Sequence, residues 1–258
     1  MQRGTFSHSS VRRPIAPETG GNIDRYLCRQ PIHLPPVRMI RTVIFDMDGV
    51  IIDTEPIHHH AYSQQFAELG ITVGAAEYAT FLGGSTRNVF QRLKQEYNLH
   101  QDLDALLLRK RALFNQAFDE QADLALLPGV LALIEDLQRH HVQLVVASSA
   151  SKATIARVFQ RFSLGPYFTH IVSGEDFARS KPDPAIFRHA AELSGTPVAQ
   201  CIVIEDSANG VTAAKAAGIY CIGYASPHSA GQDLHHADRI IQHFLELSAP
   251  AIQAIAPV

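Results

Sequence analysis

Apolar residues follow two rhythms along the chain. The stretches RTVIFD (41–46), VQLVVAS (142–148), FTHIVS (168–173), QCIVIED (200–206) and GIYCIG (218–223) are short, β-branched and apolar on both faces, and segments of helical length separate them. Such runs fit strands buried on both faces of a parallel sheet and joined by right-handed crossovers. The pattern predicts an α/β fold with a Rossmann-like, doubly wound parallel sheet as its core. Four of the five runs end in or meet polar residues: Asp46, Ser148, Ser173 and the pair Glu205–Asp206. Ligands of open parallel sheets sit at the carboxyl ends of the strands, so these groups are expected in one crevice.

The alternation breaks between Asp53 and Leu127. HHHAYSQQFAELG, STRNVFQRLKQEY and LDALLLRKRALFNQAF have helical spacing, and no convincing strand lies among them. The interval reads as an inserted α-helical cap domain (54–126) on a core made of 39–53 and 127–258. It leaves and re-enters beside the first strand's carboxyl end, where it would cover the crevice and exclude water. Residues 1–38, with scattered prolines, several arginines and little apolar periodicity, read as a disordered extension. Pro14, Pro17, Pro31, Pro35 and Pro36 break any amphipathic presequence helix there, and Met39 opens the first strand as an alternative start.

Composition narrows the class. With a formal charge of −3, 46% apolar and 18% charged residues, the 258-residue chain reads as an ordinary soluble globular protein, with no bias toward nucleic acid. No apolar stretch approaches the roughly 20 residues of a membrane span, so no membrane partner is expected. Cys28, Cys201 and Cys221 lack metal-type spacing, and a reducing, cytoplasmic setting is expected. Nothing in the sequence demands an assembly beyond a monomer or weak homo-oligomer.

The chemistry lies in the acids. FDMDGVIIDTEP (45–56) places Asp46 at the end of a buried strand, and Asp48, Glu205 and Asp206 are expected at the same spot. Buried carboxylates without a neighbouring arginine call for a hard divalent cation, and Mg²⁺ suits a few oxygen ligands bridged to phosphate. Any one of these acids could be a helix N-cap, but three strand ends carrying acids make capping a poor account of the set. Lys181 in SKPDP (180–184) and Ser148, with the N–H groups of Ser149 and Ala150 behind it, would face phosphate oxygens. Read singly, Lys181 is a surface lysine and Ser148 a cap; beside a metal they describe a phosphoryl site.

DMDGV (46–50), Ser148 in VVASS, Lys181 in SKPDP and VIEDSANGVTAAKAAG (203–218) resemble, in order and spacing, the haloacid dehalogenase superfamily of phosphohydrolases from Met39 to about residue 245. The helical insertion looks like the cap of subfamily IA, which contains β-phosphoglucomutase and small sugar-phosphate phosphatases. The resemblance implies that Asp46 takes the phosphoryl group as an aspartyl-phosphate and Asp48 acts as acid, then base. It places Mg²⁺ on Asp46, the main-chain carbonyl of Asp48 and Asp206, with Glu205 in support, and Lys181 and Ser148 on the transferring oxygens. Asp48 argues against true dehalogenase chemistry. In the cap, Thr54 matches a hinge threonine, His58 a histidine that aligns the acid/base, and Arg87 a cation for the substrate's far phosphate. Lys110 or Arg111 matches a further cap cation at a drifted spacing. DTEP (53–56) is the phosphatase form, and SASK (149–152) is one residue out of register with the mutase. His59 and His60 read as an exposed face, whereas His58 shares a stripe with Tyr62 and Phe66.

Three functions follow: a Mg²⁺-dependent phosphatase acting on a small phosphorylated metabolite, a phosphohexomutase, and a phospho-aspartate receiver module. Asp48 speaks against the receiver, since a module that retains its phosphoryl group should not carry a base poised to remove it.

Overall fold

A computed structural model describes residues 39–226 and 231–255 of the protein. The disordered extension expected for 1–38 lies outside them. The strands are β1 (Thr42–Phe45), β2 (Gln143–Ser148), β3 (His170–Ser173), β4 (Cys201–Glu205), β5 (Tyr220–Tyr224) and β6 (Arg239–Ile241). They form one parallel sheet in the order β3-β2-β1-β4-β5-β6. The strand order reverses between β1 and β4, which opens the crevice of a doubly wound sheet above those two strands. The first five strands are those expected. β6 was not foreseen: it is three residues long and only Ile241 is buried, so it has no apolar run to announce it.

The apolar runs are continuous because each strand feeds two cores. Val43, Phe45, Leu144, Val146, Ile202 and Ile204 face one side, where α5 (Val130–Arg139) and α6 (Lys152–Phe162) pack. Ile44, Val145, Ala147 and Val203 face the other, against α7 (Ala185–Leu193) and α8 (Ala208–Ala216). Period-two side-chain alternation divides one greasy strand between both layers.

The interval after β1 folds into α1 (Glu55–Leu69), α2 (Ala75–Ala79), α3 (Thr86–Glu96) and α4 (Leu103–Glu120), so the α/β core carries an inserted helical domain. Pro56 stands in the first turn of α1, where its missing N–H costs nothing, and Gly70 closes the helix in the left-handed region. Ser85 and Asp102 cap α3 and α4 through Asn88 N–H and Ala105 N–H. Tyr62, Phe66, Phe90, Leu93 and Leu106 form a separate helical core, while Ile57, Ala61, Phe114 and Phe118 join the core beneath the sheet. Helices α1 and α4 thus belong to both cores and hold the insertion over the crevice. No helix among the described residues is long and apolar enough to cross a membrane.

The join of β4 to α8 is close. Gly210 lies against the fully buried Glu205, and a Cβ there would sit 1.6 Å from Glu205 Oε1. Glycine to alanine inside an ordinary helix gains about 1 kcal/mol. Here the sign should reverse: Gly210→Ala is expected to lower the melting temperature by roughly 5 °C or more through overpacking of about 2 kcal/mol. A thermal melt equal to or above the parent's would refute the contact.

Candidate active site

Asp46 follows β1 directly, and its N–H donates to Ile204 O at 3.0 Å, which sets it beside the end of β4. Lys181 reaches this point from the loop before α7. Its Nζ donates to Asp46 Oδ1 at 2.5 Å, Glu205 Oε1 at 2.8 Å and Ala147 O at 3.2 Å, and the side chain is 1% exposed. Burial works to lower the ammonium's pKa, but Asp46 and Glu205 together outweigh it and raise the pKa above the usual lysine range. Glu205 Oε2 accepts from Ser207 N–H (2.7 Å) and Ser207 Oγ (2.9 Å), so both its oxygens are engaged and Lys181 is tied to the start of α8.

Asp48 is held quite differently. Thr54 Oγ1 donates to its Oδ1, and Ser148 Oγ lies 3.3 Å from its Oδ2. His58 Nε2 stands 3.6 Å from Oδ1, an ion-pair distance beyond hydrogen-bond length. Burial works to raise the Asp48 pKa; His58, Thr54 and Lys110 outweigh it and hold the carboxyl below its ordinary value. Behind His58 comes Lys110 of α4, 3% exposed, with Nζ on His58 Nδ1 and 4.6 Å from the Tyr62 ring centroid. Burial pushes Lys110 down to about 7 against the pull of Asp48 and Glu55. Burial and Lys110 likewise lower the pKa of His58. A neutral imidazole that accepts from Lys110 at Nδ1 carries its proton on Nε2, facing Asp48.

Asp206 completes the acidic set. The turn after Asp48 brings Gly49 (φ +78°) so close that a Cβ would lie 2.0 Å from Asp206 Oδ2. Only glycine allows both that backbone and that approach. Burial, with Glu205 and Asp46, raises Asp206 well above the usual carboxylate range. Burial likewise pushes Asp46 up to about 8 despite Lys181. Asp46, Asp48, Glu205 and Asp206 thus lie near enough to feel one another's charge, with the Lys181 ammonium between Asp46 and Glu205, and carboxylates gathered this way suit a cation. Among the described residues no three His, Cys, Asp or Glu side chains close on a single point. A Mg²⁺ site does not need them, since it takes one or two carboxylates and fills the rest with carbonyl, water and phosphate oxygens.

Two neighbouring cavities open here. The first lies over Asp46, Asp48 and Asp206 and extends along Glu55, His58 and Tyr78. The second, of about 330 Å³, is bordered by Arg87, Lys110 and Arg111; His58, Thr86, Ser149 and Ala150 line both. The expected core residues thus meet, and the outer ones are arranged in ways the sequence did not show. Thr54 is fully buried and turned to Asp48. Ser149 Oγ donates to Gly83 O at 2.9 Å, tying the loop after β2 to the helical insertion. Arg87 is exposed, borders the second cavity and pairs with Asp104 at 2.9 Å. The anion cradle expected behind Ser148 is altered, because Ala150 N–H donates to Ser148 Oγ itself (3.0 Å) and α6 begins only after its cap, Ser151. His58 stacks on Phe114 (4.4 Å between centroids) rather than on its own helical stripe.

Glu55 and Tyr78 were not anticipated. Tyr78 OH donates to Glu55 Oε1 at 2.8 Å. Burial raises Glu55 to about 7, with the Tyr78 hydroxyl opposing and Asp48 adding to the rise. In the sequence Glu55 stands out only as a member of DTEP, the phosphatase form of that segment.

Comparison with known proteins fits this geometry. The model of the haloacid dehalogenase-like hydrolase family matches residues 43–224. Protein CbbY of Rhodobacter capsulatus is 32% identical over 228 residues, 84% of this chain and 97% of the relative. A phosphoglycolate phosphatase of Pseudomonas syringae pv. tomato is 28% identical over 200 residues, 76% of this chain and 74% of the relative. Among solved structures, a CbbY variant of Rhodobacter sphaeroides in complex with xylulose-(1,5)bisphosphate superposes with a TM-score of 0.74 at 28% identity, over 84% of this chain and 100% of that one. A β-phosphoglucomutase of Clostridium difficile shares the fold, with a TM-score of 0.73 at 24% identity over 83% of this chain and 96% of that one. The chain belongs to the haloacid dehalogenase-like hydrolase family, subfamily IA, and is an enzyme of that family.

Proposed function

We propose that the protein is a Mg²⁺-dependent phosphatase that hydrolyses a small sugar phosphate, or a similar phosphomonoester, through an aspartyl-phosphate on Asp46. The observation that carries this reading is the contrast between two aspartates two residues apart. Asp46 is fixed by the buried Lys181, while Asp48 is held by a hydroxyl and a neutral imidazole beside the same cavity. That contrast suits a nucleophile and a proton carrier. The relative named as a phosphoglycolate phosphatase and the neighbour crystallised with a sugar bisphosphate support a small phosphorylated substrate.

An Asp46 oxygen attacks the phosphorus, the ester P–O bond breaks, and the departing oxygen takes a proton from Asp48. Water then attacks the aspartyl-phosphate phosphorus and gives a proton to Asp48, while the acyl-phosphate P–O bond breaks to restore Asp46 and release phosphate. Lys181 and Ser148 place positive charge and a hydroxyl beside the transferring oxygens, where charge develops in phosphoryl transfer. Asp46, Asp206 and the Asp48 carbonyl would hold Mg²⁺, with Glu205 in support through Lys181. When bound, the ion neutralises the acids and polarises the phosphoryl group. Thr54 and His58 set Asp48, and Ser149 and Arg87 are proposed to meet the rest of the substrate. Residues 54–126 act as the cap over a core of 39–53 and 127–258.

One observation favours a second reading. The cavity bordered by Arg87, Lys110 and Arg111 could take a further anionic group of a sugar bisphosphate, as a phosphohexomutase requires. Phosphorus NMR with Mg²⁺, β-glucose 1-phosphate and a trace of the 1,6-bisphosphate separates the two. The phosphatase reading expects free phosphate, and glucose 6-phosphate without free phosphate would overturn it.

Asp46→Asn is expected to lower turnover of p-nitrophenyl phosphate by roughly a thousandfold or more with the fold retained, as for loss of a covalent nucleophile. Full turnover in that variant would sink the mechanism. Mg²⁺ at about 100 times its dissociation constant should stabilise the parent by about 2.7 kcal/mol, read as a rise of roughly 5–10 °C in a thermal melt. Asp206→Asn should lose most of that rise, and an equal rise in both proteins would remove Asp206 from the ion.

A further inference from the structure

The two cavities differ in charge. Glu55, Asp48 and Asp53 border the first, and no Lys or Arg among the described residues does; Arg87, Lys110 and Arg111 border the second, where Glu175 pairs with Arg111. A second anion close to the reacting phosphoryl group would meet carboxylates, so the part of the substrate lodged there should be neutral.

Glu55 has no part in the reaction proposed above. It stands in the first turn of α1, where an acid commonly serves the helix dipole. Its hydrogen-bond partner, however, is the hydroxyl of Tyr78 on α2 and no N–H of its own helix. That contact uses Oε1, and no hydrogen bond to Oε2 is found among the described residues. The residue lines the first cavity together with Tyr62, Tyr78 and Phe81, whose rings form a wall with centroids 5.8, 6.0 and 6.3 Å apart. A carboxylate with one oxygen unpartnered among the described residues, beside an aromatic wall, suits a polyhydroxyl carbon chain, whose O–H groups donate to the acid while its C–H face packs on the rings.

We propose that Glu55, oriented by Tyr78, is the specificity-determining residue of this site and accepts hydrogen bonds from hydroxyls of the substrate's sugar part. The inference rests on the phosphatase reading and narrows its substrate to phosphates of polyhydroxyl compounds, over those that place a carboxylate next to the phosphoryl group.

The test uses the full chain with Mg²⁺ and compares kcat/KM on glucose 6-phosphate, xylitol 5-phosphate and erythritol 4-phosphate with that on 2-phosphoglycolate and on p-nitrophenyl phosphate. The parent should prefer its best polyol or sugar phosphate to 2-phosphoglycolate. Glu55→Gln should lower the ratio of kcat/KM on that substrate to kcat/KM on p-nitrophenyl phosphate by roughly tenfold or more, the worth of a charge-assisted hydrogen bond. Tyr78→Phe should shift the ratio in the same direction by a smaller factor, and it carries the test if a melt shows that Glu55→Gln does not fold. An unchanged ratio in both variants overturns the proposal, as does a parent that prefers 2-phosphoglycolate; either leaves the phosphatase reading standing. A parent that hydrolyses none of the five compounds overturns that reading, and this one with it.

Discussion

The site is organised around one buried ammonium. Lys181 binds Asp46 at the end of β1, Glu205 at the end of β4 and the Ala147 carbonyl in β2, so a single cation ties three adjacent strand ends together. Charges buried this deeply are tolerated only in company, and removing one partner of such a set typically costs 3–5 kcal/mol through the charge left behind. The neighbours of Lys181 are arranged accordingly. Glu205 takes its second set of hydrogen bonds from Ser207, whose hydroxyl in turn accepts from Gly210 N–H at 3.0 Å. The absence of a side chain at Gly210 is therefore part of the same unit as the lysine, although the two lie far apart in sequence.

A second chain of contacts runs from the insertion into the crevice. Lys110 on α4 meets His58 on α1, and His58 faces Asp48 in the turn after β1. Both helices are rooted in the core beneath the sheet through Ile57, Ala61, Phe114 and Phe118, so the contact rests on packed elements and not on a loop. Ser149 with Gly83, and Asn209 with Leu82 (2.9 Å), add hydrogen bonds between the core and the loop that leads into α3. Leu82 and Gly83 line the first cavity and Ser149 lines both, so these ties help shape the border of the site.

The strands and the convergence of the acids were legible because both depend on local pattern. β-branched runs declare buried strands, and their last residues declare the crevice once the sheet is known to be parallel. β6 was illegible for the same reason, being too short and too exposed to carry a pattern. The outer site was harder to read. Thr54, Ser149 and Arg87 stand out in the sequence by position, but which way a hydroxyl or guanidinium turns depends on partners supplied by tertiary packing, here Asp48, Gly83 and Asp104. Lys110 sits in LLLRKR, where the sequence offers Lys110 or Arg111 alike as a further cap cation; its burial exists only once α4 lies on α1 beside Tyr62 and Phe114.

That burial bears on how Asp48 can serve both halves of the proposed reaction. An acid that first gives and then takes a proton must not be locked in one state. A protonated His58 at 3.6 Å would pin Asp48 as a carboxylate by direct charge attraction. Burial first, and the Lys110 beside Nδ1 second, oppose this by lowering the pKa of the imidazole. Asp48 then faces a hydrogen-bond donor without full charge, together with the Thr54 hydroxyl. In the free enzyme these contacts leave it ionised, as a base must be. A phosphoryl dianion arriving beside it raises its proton affinity by like-charge repulsion, which is what the acid step requires. In the proposed reaction the helical insertion would therefore do more than cover the crevice, since burial of His58 and the neighbouring Lys110 together bias the histidine toward its neutral form beside Asp48.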